Sequence, residues 1–188
     1  YDVLKVVFSP GNRWLISGGS DHTVRLWQLA DLNLNEATIV LPGHDSMVEN
    51  VVVSPDSHWL FTSSDRTLIR WDLTADDITD SLTLLPLTDL PLSSNSLVFP
   101  QRVTISPDGR WLAVGIYDGQ YGKVQVWDLS SSDLASSTRT LITGLNGSIL
   151  ALTFSPNSRF LATSHAWSDM AIYIWDLAAD DPAIAPIV

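Results

Sequence analysis

Apolar residues come in short runs along the entire chain, five or six residues each, and the runs are broken by Pro, Gly, Asn, Asp or Ser. The last quarter shows the pattern most plainly, in Ile149–Phe154, Phe160–Ser164, Ala171–Asp176 and Ala183–Val188, with the turn Ser155-Pro156-Asn157-Ser158 between the first two. Runs of that length, rich in Val, Ile, Leu, Thr and aromatics and bounded by turn formers, predict β-strands. No window long enough for a helix carries a 3.6-residue period. The chain is expected to be all-β.

The runs belong to a repeat. Ser-Pro recurs at Ser9-Pro10, Ser54-Pro55, Ser106-Pro107 and Ser155-Pro156, spaced 45, 52 and 49 residues apart. Two turn residues follow each pair, then a basic residue, an aromatic and Leu: Arg13-Trp14-Leu15, His58-Trp59-Leu60, Arg110-Trp111-Leu112 and Arg159-Phe160-Leu161. A second Trp closes each copy, at Trp27, Trp71, Trp127 and Trp175; three of these read Trp-Asp-Leu and the first reads Trp-Gln-Leu. Four strands per unit at this period make one propeller blade per copy. The expected blades are approximately 1–42, 43–86, 87–143 and 144–188, within a single segment spanning residues 1–188.

The Trp-Asp dipeptides, Gly43-His44, the Ser106-Pro107-Asp108-Gly109 turn, and Ser17-Gly18-Gly19 leading to Asp21 and Trp27 resemble the WD-repeat β-propeller family across essentially the whole chain. The resemblance implies four four-stranded antiparallel blades. It also implies a buried hydrogen-bond chain in each blade, running through a Trp, a strand-two hydroxyl, the His of Gly-His and an Asp. The second copy supplies His44, Thr62, Asp65 and Trp71; the first supplies Ser17, Asp21 and Trp27. The third has Val114 where the hydroxyl belongs, and the fourth has Thr163, Asp169 and Trp175 but Leu145 in the His position. His44 is therefore read as structural and not catalytic. Half-made networks leave buried groups unsatisfied at roughly 1–3 kcal/mol each, so copies three and four are expected to rely on apolar packing.

Propellers of this family usually close with seven or eight blades, so four form an open arc with two bare apolar faces. Two readings follow: a segment of a longer array, which is favoured, or half of an eight-bladed ring completed by a second copy. Length differences between copies carry the functional signal. Extra residues fall within 87–101, 116–122 and 165–169, and in an up-and-down meander these segments leave the same end of the blades. They bring Leu97, Phe99, Tyr117, Tyr121, His165 and Trp167, the candidate partner-binding residues. Aromatic anchors supply affinity at protein interfaces, and loops on a rigid scaffold are where function concentrates. The plain alternative is that these residues only pack on one another. At the opposite end the loops collect acids, among them Asp72, Asp76, Asp77, Asp80, Asp128, Asp133 and Asp176.

Composition narrows the function further. With 45% hydrophobic residues the chain buries a core and is not disordered. Ten Lys and Arg against 21 Asp and Glu, a net charge of −11, argue against nucleic acid or an anionic membrane as partner. The absence of Cys excludes disulfides and thiolate metal sites, and fits a cytoplasmic protein. No phosphate-binding glycine loop, nucleophile elbow or His cluster at ligand spacing is present, so no catalytic residue, metal or cofactor is expected. The reading is a non-catalytic scaffold that binds a protein or peptide. The alternatives are a regulatory or sensor arm of a larger multidomain signalling protein and, last, a propeller enzyme.

Overall fold

The computed structural model describes residues 1–30, 39–87, 99–117, 121–166 and 172–179, which form two compact units, Tyr1–Pro86 and Leu87–Val188. The first unit holds β1 (Val3–Phe8), β2 (Trp14–Gly19), β3 (Val24–Gln28) and β4 (Ile39–Leu41), then β5 (Asn50–Val53), β6 (Trp59–Ser63), β7 (Leu68–Asp72) and β8 (Thr83–Leu85). A single 3-10 turn, Thr79–Ser81, precedes β8. The second unit holds β9 (Phe99–Ile105), β10 (Trp111–Tyr117), β11 (Tyr121–Asp128) and β12 (Thr138–Asn146), then β13 (Ile149–Phe154), β14 (Phe160–His165) and β15 (Ile172–Asp176). Each group is an antiparallel meander paired in chain order, giving three four-stranded sheets and, among the described residues, one of three strands. The strand expected at Ala183–Val188 lies outside the described residues.

One turn builds all four sheets. The first Ser of each Ser-Pro accepts, through its hydroxyl, the backbone N–H of the aromatic five residues on: Ser9 from Trp14, Ser54 from Trp59, Ser106 from Trp111 and Ser155 from Phe160, at 2.8–3.0 Å. Their own N–H groups donate to the same aromatics' carbonyls at 2.8–2.9 Å. Between these bonds the chain must reverse in four residues, and the third of them takes positive φ in every copy: Asn12 at 52°, Ser57 at 61°, Gly109 at 75° and Ser158 at 59°. Asn and Gly tolerate that region, which explains their use in copies one and three. The two serines answer a second demand. Ser57 Oγ accepts the N–H of Gly11 at 2.8 Å, and Ser158 Oγ accepts that of Asp108 at 3.0 Å. Each ties its sheet to the preceding one in the same unit.

The second strand of three sheets, β2, β6 and β10, is buried at nearly every position. In the first unit Trp14, Ile16, Val24 and Leu26 of the first sheet pack with Val51, Leu60, Ile69 and Trp71 of the second. In the second unit Trp111, Ala113, Val124 and Val126 pack with Ile149, Leu161 and Trp175. Each fully buried aliphatic side chain contributes about 1.5–3 kcal/mol relative to exposure. Strand two of each leading sheet needs a gap for its neighbour. A Cβ on Gly18 would lie 2.7 Å from Val48 Cγ1, and one on Gly115 would lie 2.8 Å from Ile149 Cγ2. Ser106 is fully buried, so its hydroxyl has no substitute in water. Ser106→Ala is expected to lower stability by about 1–3 kcal/mol by stranding the Trp111 N–H, read as an earlier midpoint in urea unfolding.

Candidate functional site

The second blade assembles the hydrogen-bond chain around one hydroxyl. Gly43, at φ +119°, turns the chain so that His44 enters the sheet, where it is 6% exposed. Thr62 Oγ1 accepts the Trp71 indole N–H at 2.9 Å and meets His44 Nε2 at 2.8 Å. His44 Nδ1 meets Ser64 Oγ at 2.9 Å and Thr67 Oγ1 at 3.1 Å. Asp65, the fourth member expected from sequence, stands elsewhere: it is exposed and accepts the Ser46 hydroxyl at 2.9 Å. Burial lowers the His44 pKa to about 4, so the ring is neutral and three hydroxyls satisfy it where a cation would call for a carboxylate.

The other blades carry less of this chain. In the first, Asp21 accepts from the Thr23 N–H and hydroxyl and pairs with Arg25 at 2.6 Å, Ser17 is buried and Trp27 is half-buried. In the third, Val114 is fully buried and the Trp127 indole N–H has no acceptor among the described residues. In the fourth, Trp175 likewise has none, and Asp169 lies outside the described residues.

His165 departs from its expected place on an inserted loop. It is the last residue of β14 and 6% exposed. Its Nε2 lies 3.3 Å from Thr163 Oγ1, and its ring meets Tyr173 edge-on at 5.5 Å. Burial lowers its pKa. Residues two apart on a strand share a face, so His165 reaches the hydroxyl from the register that Ser64 holds in blade two. The sequence signal for this is Thr-x-His on strand two.

The remaining partner-binding candidates divide. Leu97 and Trp167 lie outside the described residues. Phe99, Tyr117 and Tyr121 are strand residues and not loop residues: Tyr117 pairs with both Phe99 and Gly122, and Tyr121 pairs with Asn146. The extra residues of copy three continue the ladder, so β10 and β11 run seven and eight residues where β6 and β7 run five. The aromatic positions thereby gather at one end of a single sheet.

A second recurring arrangement escaped the sequence reading. In copies two, three and four the basic residue before the strand-two aromatic stacks on that aromatic and reaches the Asp of Trp-Asp. Arg110 lies 4.7 Å from the Trp111 ring and 2.8 Å from Asp128. Arg159 lies 5.0 Å from the Phe160 ring and 2.7 Å from Asp176. His58 stacks on Trp59 at 4.2 Å and meets Asp72 at 3.2 Å. The same three carboxylates accept the N–H groups of Thr74, Ser130 and Ala178, so part of the acidic end is balanced internally. Among the described residues no group of three or more His, Cys, Asp or Glu side chains could hold a metal ion. No helix there is long and apolar enough to cross a membrane.

Two outcomes follow from the blade-two chain. Thr62→Val removes the partner of two buried groups and is expected to cost roughly 2–4 kcal/mol in denaturant unfolding. The matching Thr163→Val, which loses one 3.3 Å contact, is expected to cost less than about 1 kcal/mol. His44 titrates near 6.5 when unfolded and near 4 when folded, so below about pH 6.5 the unfolded chain binds the extra proton. Stability from this group falls as pH drops from about 6.5 to about 4, by about 3 kcal/mol, and levels off below. The difference between wild type and His44→Gln in unfolding free energy across that range measures it.

Comparison with known proteins agrees with this geometry. The family described as WD domain, G-beta repeat matches residues 1–28, 35–72, 95–128 and 136–176. The Drosophila melanogaster Protein LST8 homolog is 26% identical over 93% of this chain and 51% of its own length. Transcription initiation factor TFIID subunit 5 of Caenorhabditis elegans is 30% identical over 94% of this chain and 24% of its own. The mouse Target of rapamycin complex subunit LST8 is 26% identical over 88% of this chain and 45% of its own. The chain thus spans about half the length, or less, of these relatives. With four matched repeats, each folded into an antiparallel meander around the same serine-bonded turn, the chain belongs to the WD-repeat family.

Proposed function

We propose that the chain is a non-catalytic interaction scaffold whose second unit binds a partner protein or peptide at the end of the sheets carrying 87–101, 116–122 and 165–169. The observation that carries this reading is the register of the third blade, which sets Phe99, Tyr117 and Tyr121 at neighbouring strand ends. Aromatic residue types at neighbouring strand ends are those that carry affinity at protein interfaces. Leu97 and Trp167 belong to the same proposed surface through their place in the sequence, and His165 supports it from beneath. Two relatives, a TFIID subunit and a target of rapamycin complex subunit, are by name members of assemblies. Membership of an assembly, within a longer signalling or regulatory protein or apart from one, is what a scaffold of this kind serves.

A second surface supports a partner of another sort. Strand β1 exposes Val3, Val6 and Phe8 at 57, 53 and 62%. In the second unit, Phe154, Phe160, Ala162 and Ile174 line an apolar cavity of about 400 Å³. Apolar sheet faces of this extent are covered by further repeats or by a second copy.

The aromatic surface is tested by placing a photo-cross-linking phenylalanine analogue at Tyr121 in the full chain. Capture of a discrete partner is expected, and Tyr117→Ala is expected to reduce it about tenfold or more with an unchanged unfolding midpoint. Equal capture with and without Tyr117 removes this surface from consideration.

A further inference from the structure

In three blades the basic residue ahead of strand two meets the carboxylate of Trp-Asp, and in the first this clasp stays open. We propose that the first blade uses this opening to bind a partner peptide that carries an acidic and a basic side chain about an apolar residue. In blades three and four the arginine's carboxylate comes from its own sheet, at 2.8 and 2.7 Å. In blade one Gln28 occupies that rung, paired with Trp14, and an amide brings no charge. Arg13 lies 5.0 Å from the Trp14 ring, is exposed, and makes no ion pair among the described residues.

The open clasp faces a built cleft. Within the first unit, Arg13 and Trp14 share a cavity of about 540 Å³ with Ile39, Asp76, Asp77 and Ile78. That volume is in the range of ligand sites, about 300–1,000 Å³. Trp14 is 3% exposed, and its indole N–H is buried with no acceptor among the described residues. Buried donors of this kind are normally satisfied, so an unmet one on a residue that lines the cleft leaves a bond an incoming acceptor could supply.

The charges select the occupant. Arg13 brings one positive charge and the loop after β7 brings two carboxylates. The Asp77 carboxylate, held by the hydroxyl and N–H of Thr79, is kept below its ordinary pKa and is ionised. A purely acidic ligand meets Asp76, Asp77 and a chain of net charge −11; a purely basic one gains nothing from Arg13. A ligand with both signs satisfies both walls, and Ile39 and Ile78 receive the apolar residue between them. Peptide is favoured over a free small molecule because β4 is the outer strand of its sheet, with Val40 47% exposed beside the cleft. An outer strand offers backbone groups to an extended segment. The site lies in the first unit and does not rest on the aromatic surface of the second.

The test titrates the full chain with blocked hexapeptides of sequence Ala-Glu-Leu-Leu-Lys-Ala and with versions carrying Gln for Glu or Gln for Lys. Binding is read from the Trp14 indole N–H resonance, assigned with Trp14→Phe. The two-charge peptide is expected to shift that resonance, and each single-charge version to bind about tenfold more weakly. Gln28→Asp gives Arg13 an internal carboxylate, so it is expected to weaken the peptide about tenfold while leaving the unfolding midpoint unchanged or higher. Arg13→Gln should weaken it equally. Tyr117→Ala with Tyr121→Ala should leave it untouched, which separates this site from the aromatic surface. Failure of the two-charge peptide to move Trp14, or undiminished binding by Gln28→Asp, overturns the proposal.

Discussion

A serine hydroxyl, buried in three of the four copies, holds each sheet together at its first turn. By accepting the N–H of the aromatic five residues on, it fixes how strands one and two pair, and that register decides which face every later side chain occupies. The residue before the aromatic is thereby placed where its cation can stack on the ring. The Asp of Trp-Asp, on the next strand, is placed where it can meet that basic side chain. A slip of one residue at the turn would reverse every face at once, which is why all four copies keep this turn at the same length while other segments vary.

With the turn constant, blades differ in how they satisfy their interior. Blade two spends four hydroxyl and imidazole contacts on Trp71 and His44. Blades three and four bury Trp127 and Trp175 with their indole N–H groups unmet among the described residues. Each unmet donor costs about 1–3 kcal/mol, offset by the dispersion and area gained on burying so large a ring. His165 shows how the fourth blade compensates. With Leu145 in place of the Gly-His histidine, a ring two residues beyond Thr163 supplies a partner from the same strand.

Departures from the repeat are also where function is proposed. The longer β10 and β11 extend one sheet beyond its neighbours and gather aromatic positions there. The Gln at residue 28 removes a carboxylate from an otherwise closed clasp. Both are local changes to a unit whose remaining bonds are kept, so the scaffold holds them in fixed positions.

Strand type, strand order and the four turns were legible in the chain alone, because short apolar runs bounded by turn residues and Ser-Pro spacing are local properties of contiguous residues. So were the members Trp71, Thr62 and His44 of the buried chain. The partner of His44, the burial of His165 and the strand character of Tyr117 were not, since each depends on which strands lie side by side. Asp65 and Ser64 are sequence neighbours in the turn after β6, and only the fold decides that Ser64 meets the imidazole while Asp65 accepts from Ser46. The clasp was hidden for the same reason: Arg110 and Asp128 are eighteen residues apart, and the pairing of β10 with β11 brings them to 2.8 Å. Periodicity determined the elements; register, which couples residues distant in sequence, decided their contacts.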